Sequence, residues 1–391
     1  MDRVVQLPLE QAHPLQVAPA LYELLANGAL HRVRTAVGDP AWLVTTHAQV
    51  CRLLADDRLG RTHPEPHTTA RMGESALYGG PLHNFATEHI DHARWRALLQ
   101  PHFSPKHMHA LRPRVDNLTT GLLDQMVTGG APADLHAAVA LPLPILVICE
   151  LLGVPYEDRE MFRTWTTDAA NTRDRVRSEK GLSLLARYGR ELVAAKRRRP
   201  ADDVISRLCL TEGLSDSQIA DLSMGLLWAG YETTVAQIGL SSLLLLANPD
   251  QWRILAADPA MVCNAVEETL RASRRGGGVL PRYARTDLQI DGVTIKTGDL
   301  VLLGIAAANH DPSVFADPGR VDITRPAPGH LTFGHGARYC LGAPLARIEL
   351  YAVLSQLASR FPTMRLAADP RELTLRTGML FGGLNELPVR W

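Results

Sequence analysis

The sequence has few of the features that mark secreted, zinc-binding or membrane-anchored proteins. Its 5 cysteines are scattered over 391 residues without a C-x-x-C pair. This argues against a disulfide framework or a structural zinc site and favours a reducing compartment. Residues 1–20 lack the charged start and apolar core of a signal peptide, and they form no apolar anchor. We therefore expect a cytoplasmic protein without membrane attachment.

An excess of charge and the common nucleotide-binding and hydrolase motifs are also missing. Lys plus Arg (41) equals Asp plus Glu (41), so the overall charge predicts no nucleic-acid partner. The chain has no G-x-G-x-x-G after a strand, no Walker lysine loop and no G-x-S-x-G elbow. His89 and His92 form an H-x-x-H, but the glutamate of a zinc protease does not accompany them.

What the sequence does have is helical periodicity. Apolar residues recur at helical spacing over 115–127, 180–198, 215–248, 259–273 and 343–360. Strand-like segments are short, and they lie at 31–35, 42–45, 287–303 with an Asp291-Gly292 turn, 372–376 and 387–390. The pattern predicts a mainly α fold with small peripheral β-sheets, organised as a single large domain over 1–391.

The longest predicted helix covers 215–248. Ser215 and Gln218 form an S-x-x-Q capping box at its start. Its apolar stretch could be a membrane span, but Glu232 and Gln237 lie in the middle, where charged and polar groups are costly in lipid. We therefore interpret the segment as the buried axis of a large protein.

The centre of this helix reads A-G-Y-E-T-T. Gly230 costs about 1 kcal/mol in a helix interior, and the Thr233 hydroxyl can bond back to the Ala229 carbonyl and bend the helix. Glu232, in an apolar stretch, needs a partner or a proton-handling role. The motif predicts a local opening with two proton-carrying side chains. The alternative is a tolerated glycine beside an acid that reaches solvent.

A second motif is the loop F-G-H-G-A-R-Y-C-L-G, from Phe333 to Gly342, which ends where a helix is predicted to begin. A thiolate at Cys340 would be stabilised by the unpaired N–H groups of a helix N-terminus. Gly334 and Gly336 let the backbone pass close to a bulky group. Cys340 therefore suits nucleophilic catalysis or metal coordination, unless it is a buried cysteine that acts as a small hydrophobe.

A third motif is E-x-x-R, formed by Glu268 and Arg271 on one face of a predicted helix. Taken alone, such a pair is usually an exposed ion pair worth a few tenths of a kcal/mol.

In their order along the chain, A-G-x-E-T-T, E-x-x-R and Phe-x-x-Gly-x-x-x-Cys-x-Gly resemble the cytochrome P450 superfamily of cysteine-thiolate haem monooxygenases. The resemblance is greatest to the soluble bacterial members. The last pattern is matched at Phe333, Gly336, Cys340 and Gly342. The resemblance runs from about His92 to the C-terminus, and it implies the cytochrome P450 fold with the long helix over the haem.

This resemblance implies a role for each matching position. Cys340 would be the axial ligand of the haem b iron, and Thr233 with Glu232 would handle the protons of O2 activation. The basic residues would bind the haem propionates, which need cationic donors when buried. The implied haem-binding residues are Cys340, His92, Arg96, Arg282, Arg338, Phe333, Gly334, Leu341, Gly342, Ala229 and Gly230.

By the same resemblance, Glu268 and Arg271 would join Arg320 in a buried charge triad that stabilises the core near the haem loop. Val321 stands where the family often has phenylalanine, which weakens the Arg320 assignment. Arg338 stands where relatives often have histidine, and either side chain can donate to a propionate.

Substrate-facing positions are also implied, namely Leu77, Phe85, Trp228, Ala229, Gly278, Val279, Met379 and Leu380. Because they are apolar or aromatic, they indicate a mid-sized hydrophobic or aromatic small molecule. Resemblance to bacterial members favours a tailoring role in natural-product biosynthesis. The run Gly276-Gly277-Gly278 is either a flexible connector or a device that enlarges the pocket.

The implied reaction is O2 activation followed by substrate oxidation, most simply hydroxylation. If the haem domain uses all 391 residues, NAD(P)H must deliver two electrons through separate proteins, a ferredoxin and a ferredoxin reductase. Arg94 and Lys106 are candidate docking residues on the cysteine side, and we expect a monomer. The alternatives are oxidative C–C or C–N coupling or ring closure without oxygen insertion, a peroxide-driven enzyme, and a haem-binding sensor.

Overall fold

Helices dominate the computed structural model, which describes residues 4–82, 84–273, 278–326 and 329–391. The helices are α1 Pro19–Ala26, α2 His47–Leu54, α3 Glu88–Leu99, α4 Pro105–Gly129, α5 Pro142–Leu152, α6 Arg159–Ala169, α7 Arg175–Arg198, α8 Val204–Cys209, α9 Asp216–Leu246, α10 Pro249–Ala257, α11 Val262–Ala272, α12 Ile305–Asn309 and α13 Ala343–Arg360. The strands are β1 Val5–Gln6, β2 Leu30–Arg34, β3 Pro40–Val44, β4 Leu59–Gly60, β5 Ala133–Asp134, β6 Val279–Ala284, β7 Leu288–Ile290, β8 Val293–Ile295, β9 Leu300–Gly304, β10 Arg365–Leu366 and β11 Pro388–Arg390. The mainly α fold with small sheets is therefore confirmed.

The central helix is α9. The Ser215 hydroxyl accepts from the Gln218 backbone N–H, and the Gln218 side chain accepts from the Ser215 N–H, so the capping box is formed. At about 1.5 Å per residue, its 31 residues extend over roughly 46 Å. It contacts α5, α7, α11 and α13 and is buried on almost every side. This is the buried axis that its apolar composition predicts.

Membrane insertion of this helix finds no support. Within residues 4–82, 84–273, 278–326 and 329–391, no helix has the length and apolar character that a bilayer span requires.

The largest sheet has the strand order β1-β2-β3-β9-β6-β4. Its interior strand β9 is buried at every position. Antiparallel pairing with β9 carries the last four residues of β6 into the protein, so that Arg282 is 5% exposed. A long charged side chain is thereby placed inside the fold by the sheet.

The predicted hairpin is present as the pair β7–β8. Asp291 and Gly292 form its tip, with φ of 50° and 79°, values in the left-handed region that aspartate and glycine tolerate better than most residues.

The prediction of a strand at 372–376 is wrong, because only Leu375 forms an isolated bridge, to Leu384. The C-terminal strand β11 pairs instead with β10 and β5. One of these partners is more than 250 residues away in sequence, at Ala133–Asp134, which periodicity cannot indicate.

Candidate functional site

Exposed side chains indicate a space between α9 and the loop before α13 that carries Cys340, and we call this space the cleft; α9 and α13 are in contact. Ala229 is exposed although it lies in the middle of a buried helix, and Cys340 is also exposed. Protein nevertheless surrounds the Cys340 sulfur on most sides, since burial raises the pKa of its thiol. Side chains that are accessible but surrounded in this way line an internal space.

The Cys340 loop is held by backbone hydrogen bonds and by two glycines. The Cys340 N–H donates to the Phe333 carbonyl at 2.8 Å. Gly334 and Gly336 have φ of 74° and 71°, and a Cβ on Gly336 would lie 2.9 Å from the Ala55 Cα. The loop can therefore take this path only with glycine at these positions.

The thiol of Cys340 points at the start of α13. The backbone N–H groups of Gly342 and Ala343 lie close enough to oppose the increase in the pKa of the thiol that burial causes. Phe333 and Leu341 pack against the main hydrophobic core on either side of this turn. This is the position at a helix N-terminus that the sequence predicts for the thiolate.

Across the cleft, the A-G-Y-E-T-T segment has the predicted back-bond. The Thr233 hydroxyl donates to the Ala229 carbonyl at 2.7 Å. A Cβ on Gly230 would lie 2.9 Å from the Ile148 side chain, so this glycine allows α5 to pack closely against α9. The helix α9 is continuous from Asp216 to Leu246, so the predicted opening does not interrupt it, and the glycine and the threonine have separate roles in packing and in the back-bond.

Glu232 is 3% exposed and has partners that the sequence did not suggest. Arg376 Nη1 lies 3.3 Å from Glu232 Oε2, and the Thr167 hydroxyl lies 3.2 Å from Oε1. The acid therefore does not reach solvent. It is a buried carboxylate held by one cation and one hydroxyl, next in sequence to the threonine that faces the cleft.

A buried carboxylate organises the basic residues near the Cys340 loop. Glu88, 2% exposed, accepts from the Arg61 backbone N–H at 2.7 Å and from the Thr62 hydroxyl at 2.5 Å. Arg338 and Arg285 also donate to it, at 2.5 and 3.1 Å. Glu88 thus anchors two arginine side chains, and no sequence motif singled it out.

Arg282 lies against this cluster with few partners of its own. In the described part of the chain, its guanidinium has one hydrogen bond, from Nη1 to the Pro281 carbonyl at 2.9 Å. Burial, together with the positive charges of Arg61 and Arg338, lowers the pKa of Arg282 to about 9.

Two more basic groups complete the cluster. Arg61 lies with its guanidinium 4.0 Å from the Tyr78 ring centroid, and its Nη2 has no hydrogen-bond partner among the described residues. Burial, followed by the charges of Arg338 and Arg96, lowers the pKa of His92 to about 4. His92 is therefore neutral near pH 7 unless an anion binds beside it.

The cluster fits the two propionates of the haem that the resemblance implies. Among the described residues, its guanidinium groups share a single buried carboxylate, and one buried guanidinium nitrogen lacks an acceptor. Unpaired buried cations are unfavourable without an anion, so the donor set matches a dianionic edge. Among the predicted residues, His92, Arg282 and Arg338 lie in the cluster, and Arg61 is an addition.

Arg96 lies beside the cysteine loop, and its role at a haem propionate stays a prediction. Its guanidinium donates to the backbone carbonyl of Tyr339, next to Cys340, and its charge lowers the pKa of the Cys340 thiol. In this arrangement Arg96 stabilises the cysteine loop.

The buried charge triad is present with one correction. Arg271 forms a bidentate pair with Glu268 at 2.8 and 2.7 Å, and the two side chains are 0% and 1% exposed. Arg320 is exposed and contributes only its carbonyl to Arg271, at 3.2 Å. The second guanidinium near Glu268 belongs to Arg325, at 3.5 Å. The chain turns between these two arginines, so the later one points inward.

The predicted substrate-facing positions fall into different surroundings. Trp228 stacks on Tyr78 with ring centroids 5.7 Å apart, and it lies 5.5 Å from Phe381. Phe85 instead packs under the guanidinium of Arg285, at 4.0 Å, beside the Glu88 cluster. Tyr78 and Phe381 were missed, although each directly follows a predicted residue in sequence, Leu77 and Leu380.

The remaining predicted positions are backbone contacts. Met379 forms a bridge with Asn171, and the Leu380 N–H donates to the Ala170 carbonyl at 3.2 Å. Gly278 accepts from Ala306 at 3.1 Å, immediately before Val279 begins β6. Gly276 and Gly277 lie outside the described residues.

Of the two candidate docking residues, Arg94 donates to the Gly213 carbonyl at 2.9 Å and Lys106 lies exposed in the first turn of α4.

Comparison with known proteins agrees with this geometry. A model of the family described as Cytochrome P450 matches residues 260–381. The chain is 40% identical to a pentalenolactone synthase from Streptomyces exfoliatus, with 100% of both chains covered. It is 38% identical to a mycinamicin IV hydroxylase/epoxidase from Micromonospora griseorubida, with 98% of each covered. Among solved structures, cytochrome P450 PimD, a pimaricin epoxidase, superposes with a TM-score of 0.89 at 38% identity over 100% of both chains.

Proposed function

The chain belongs to the cytochrome P450 family and is an oxidoreductase of that class, and we propose that it is a monooxygenase that hydroxylates a mid-sized hydrophobic or aromatic small molecule. The observation that carries this proposal is the exposed Cys340 at the start of α13, together with the exposed Ala229 and the back-bonded Thr233 on α9, the helix that packs against α13. The full-length relatives named as hydroxylase and epoxidase support oxygen insertion, and their products support a natural-product tailoring role.

Haem, when bound, supplies the redox chemistry of O2 activation. Cys340 would hold its iron, because the residue is exposed and lies at the start of α13, where the backbone N–H groups of Gly342 and Ala343 favour a thiolate. Arg61, Arg282, Arg338 and His92 would hold its propionates.

Glu232 and Thr233 would deliver the protons. Thr233 is the hydroxyl on the cleft side of α9, and its hydrogen bond to Ala229 leaves a lone pair to accept from a bound molecule. Glu232 is the nearest acid in sequence, and its ion pair with Arg376 keeps it in place behind the threonine.

Replacement of the proposed iron ligand tests the enzyme class. Cys340→Ser should abolish the thiolate-type carbon monoxide difference spectrum of the reduced protein, because serine supplies no sulfur ligand. Cys263→Ser, which also removes an exposed thiol, is the matched control and should leave the spectrum unchanged. An unchanged spectrum in Cys340→Ser would remove the central claim.

Replacement of the threonine tests proton delivery. Thr233→Ala should divert reducing equivalents to hydrogen peroxide, so that product formed per NAD(P)H falls at least several-fold. Thr234→Ala, at the buried neighbouring position, should keep the wild-type ratio. Equal coupling in wild type and Thr233→Ala would contradict the assigned role.

Electrons would come from NAD(P)H through a ferredoxin and its reductase, with Arg94 and Lys106 on the docking face. We also propose that the chain acts as a cytoplasmic monomer, as one haem-binding domain over 1–391. Turnover with 18O2 distinguishes oxygen insertion, which adds one labelled atom to the product, from coupling or ring closure, which adds none.

A further inference from the structure

Three aromatic rings from distant parts of the chain meet beside the cleft. The Tyr78 and Trp228 rings are stacked, with an interplanar angle of 26°. The Phe381 ring lies tilted against Trp228 at 49° and nearly perpendicular to Tyr78 at 70°, with centroids 6.5 Å apart in the second pair. Trp228 immediately precedes Ala229, the exposed residue of α9, so the three rings lie next to that residue along the chain, and we call them the aromatic wall.

The loop that carries Tyr78 is tightly closed. Met72 and Gly79 join its ends through a hydrogen bond of 2.6 Å, and a Cβ on Gly79 would lie 2.2 Å from the Gly73 carbonyl oxygen. The Ser75 hydroxyl donates to the Ala169 carbonyl at 3.1 Å, at the end of α6. The direction of the Tyr78 ring is therefore fixed by backbone contacts.

The loop that carries Phe381 binds the same turn after α6. The Thr172 N–H donates to the Gly378 carbonyl at 2.8 Å, and the Leu380 N–H donates to the Ala170 carbonyl at 3.2 Å. Two loops are thus docked on one turn, which places Tyr78 and Phe381 next to each other and against Trp228. The wall is pre-formed, and a ligand need not order it.

Trp228 also carries an unused donor. It is 6% exposed, and no acceptor in the described part of the chain bonds to its Nε1–H. Its helix neighbours Leu227 and Tyr231 pack into the main core, whereas Trp228 packs on the two loop rings. Buried indole N–H groups usually have a partner. A buried donor at a preformed aromatic surface is a recognition group for a ligand that brings an acceptor.

We propose that Tyr78, Trp228 and Phe381 select a flat, aromatic or conjugated substrate that carries a carbonyl or ether oxygen, and that Trp228 Nε1–H donates to that oxygen. The proposal rests on the proposed function, because it names the substrate class of the same site. Ring faces and edges favour flat unsaturated molecules over saturated ones of equal size. The Trp228 N–H favours ligands that carry an oxygen atom able to accept a hydrogen bond.

Three probes of similar size separate the two requirements. 9-Fluorenone is flat and carries a carbonyl, fluorene is flat without one, and cyclotridecanone carries a carbonyl on a saturated ring. Calorimetric titration of the haem-loaded wild-type protein should give a Kd for fluorenone about tenfold below those of the other two. Equal affinities for the three probes would overturn the proposal without any variant.

Variants then assign the donor. Trp228→Phe keeps a ring and removes the N–H, so fluorenone should bind about tenfold more weakly while the Kd of fluorene changes by less than about twofold. Trp252→Phe is the matched control, because Trp252 also has a buried Nε1–H without a partner among the described residues, and it lies in α10 within the core. It should leave every Kd unchanged. Equal losses for both flat probes in Trp228→Phe would show that no hydrogen bond is made.

Replacement of the loop rings tests the wall. Phe381→Leu and Tyr78→Leu should weaken both flat probes several-fold and leave cyclotridecanone unchanged. The carbon monoxide spectrum and O2-dependent product formation are measured separately on the same samples. If the spectrum is of the thiolate type but the probes bind equally, the proposed substrate class is wrong and the proposed function stands. If fluorenone is preferred but the spectrum is not of the thiolate type, the proposed function is wrong and the binding preference stands.

Discussion

Arg271 and Arg282 are both buried arginines, 0% and 5% exposed, but their hydrogen-bond partners differ. Arg271 donates twice to Glu268 and once each to the carbonyls of Asn309, Pro318 and Arg320, so each of its five N–H groups has an acceptor. The described residues offer Arg282 one carbonyl.

The difference distinguishes a structural charge from a binding charge. Every N–H of the Arg271 guanidinium has an acceptor within the protein, whereas Arg282 has one carbonyl and the neighbouring Arg61 Nη2 has no hydrogen-bond partner among the described residues. Both Arg271 and Arg282 are buried. The unmet donors, rather than burial, indicate where an anionic ligand binds.

The largest expected effect comes from breaking the Glu268–Arg271 pair. Glu268→Ala leaves the Arg271 charge buried and unpaired, so the free energy of unfolding should fall by about 3–5 kcal/mol. Denaturant unfolding measures this loss. Asp250→Ala, which removes an exposed carboxylate paired with Arg253, should change stability by less than about 1 kcal/mol. A similarly small change in Glu268→Ala would show that the cluster is not structural.

Removal of a cation from the Glu88 cluster should have the opposite effect on the haem-free protein. Arg282→Met removes a buried charge that lacks a carboxylate partner of its own, so the haem-free protein should be at least as stable as wild type. Haem should nevertheless dissociate about tenfold faster or more, because a propionate loses a donor. Denaturant unfolding and haem transfer to apomyoglobin measure the two quantities. A destabilised haem-free protein with unchanged haem retention would remove the distinction between the clusters.

The smallest expected effect tests whether Arg320 or Arg325 is the second arginine that stabilises Glu268. Arg325→Ala should lower the free energy of unfolding by about 1–2 kcal/mol, because its side chain is 13% exposed and lies 3.5 Å from Glu268. Arg320→Ala should change it by less than about 0.5 kcal/mol, since that side chain is exposed and the bond to Arg271 uses its backbone carbonyl. If thermal unfolding shows a larger loss of stability in Arg320→Ala than in Arg325→Ala, then Arg320 and not Arg325 belongs to the triad.

Local chemistry was predictable from the sequence. The Ser215 capping box, the Thr233 back-bond and the position of Cys340 at a helix start follow from residues within a few positions of each other. The Asp291-Gly292 hairpin is of the same kind.

Contacts between distant segments were not predictable. Glu88 lies 250 residues from Arg338, and Glu232 lies 144 residues from Arg376, and no motif joins them. Tyr78 and Phe381 were missed by one position each, because adjacent side chains in a loop point in different directions that spacing alone does not define. Arg325 was missed because the chain turns between Arg320 and Arg325, and spacing alone does not define which of the two side chains points inward.

The loop from Arg376 to Gly383 has a consequence for redesign of the enzyme. Its ends are joined by the bond from the Arg376 N–H to the Gly383 carbonyl, at 2.8 Å, and Gly383 lies against Ala236 of α9. The same loop presents Phe381 to the aromatic wall and the Arg376 guanidinium to Glu232. An engineer who grafts a new loop here to widen substrate scope would also replace the counter-ion of the acid. A loop graft would therefore change substrate scope and the coupling of electrons to product at the same time. A graft that retains Arg376 and Gly383 would change substrate scope and leave the counter-ion of Glu232 in place.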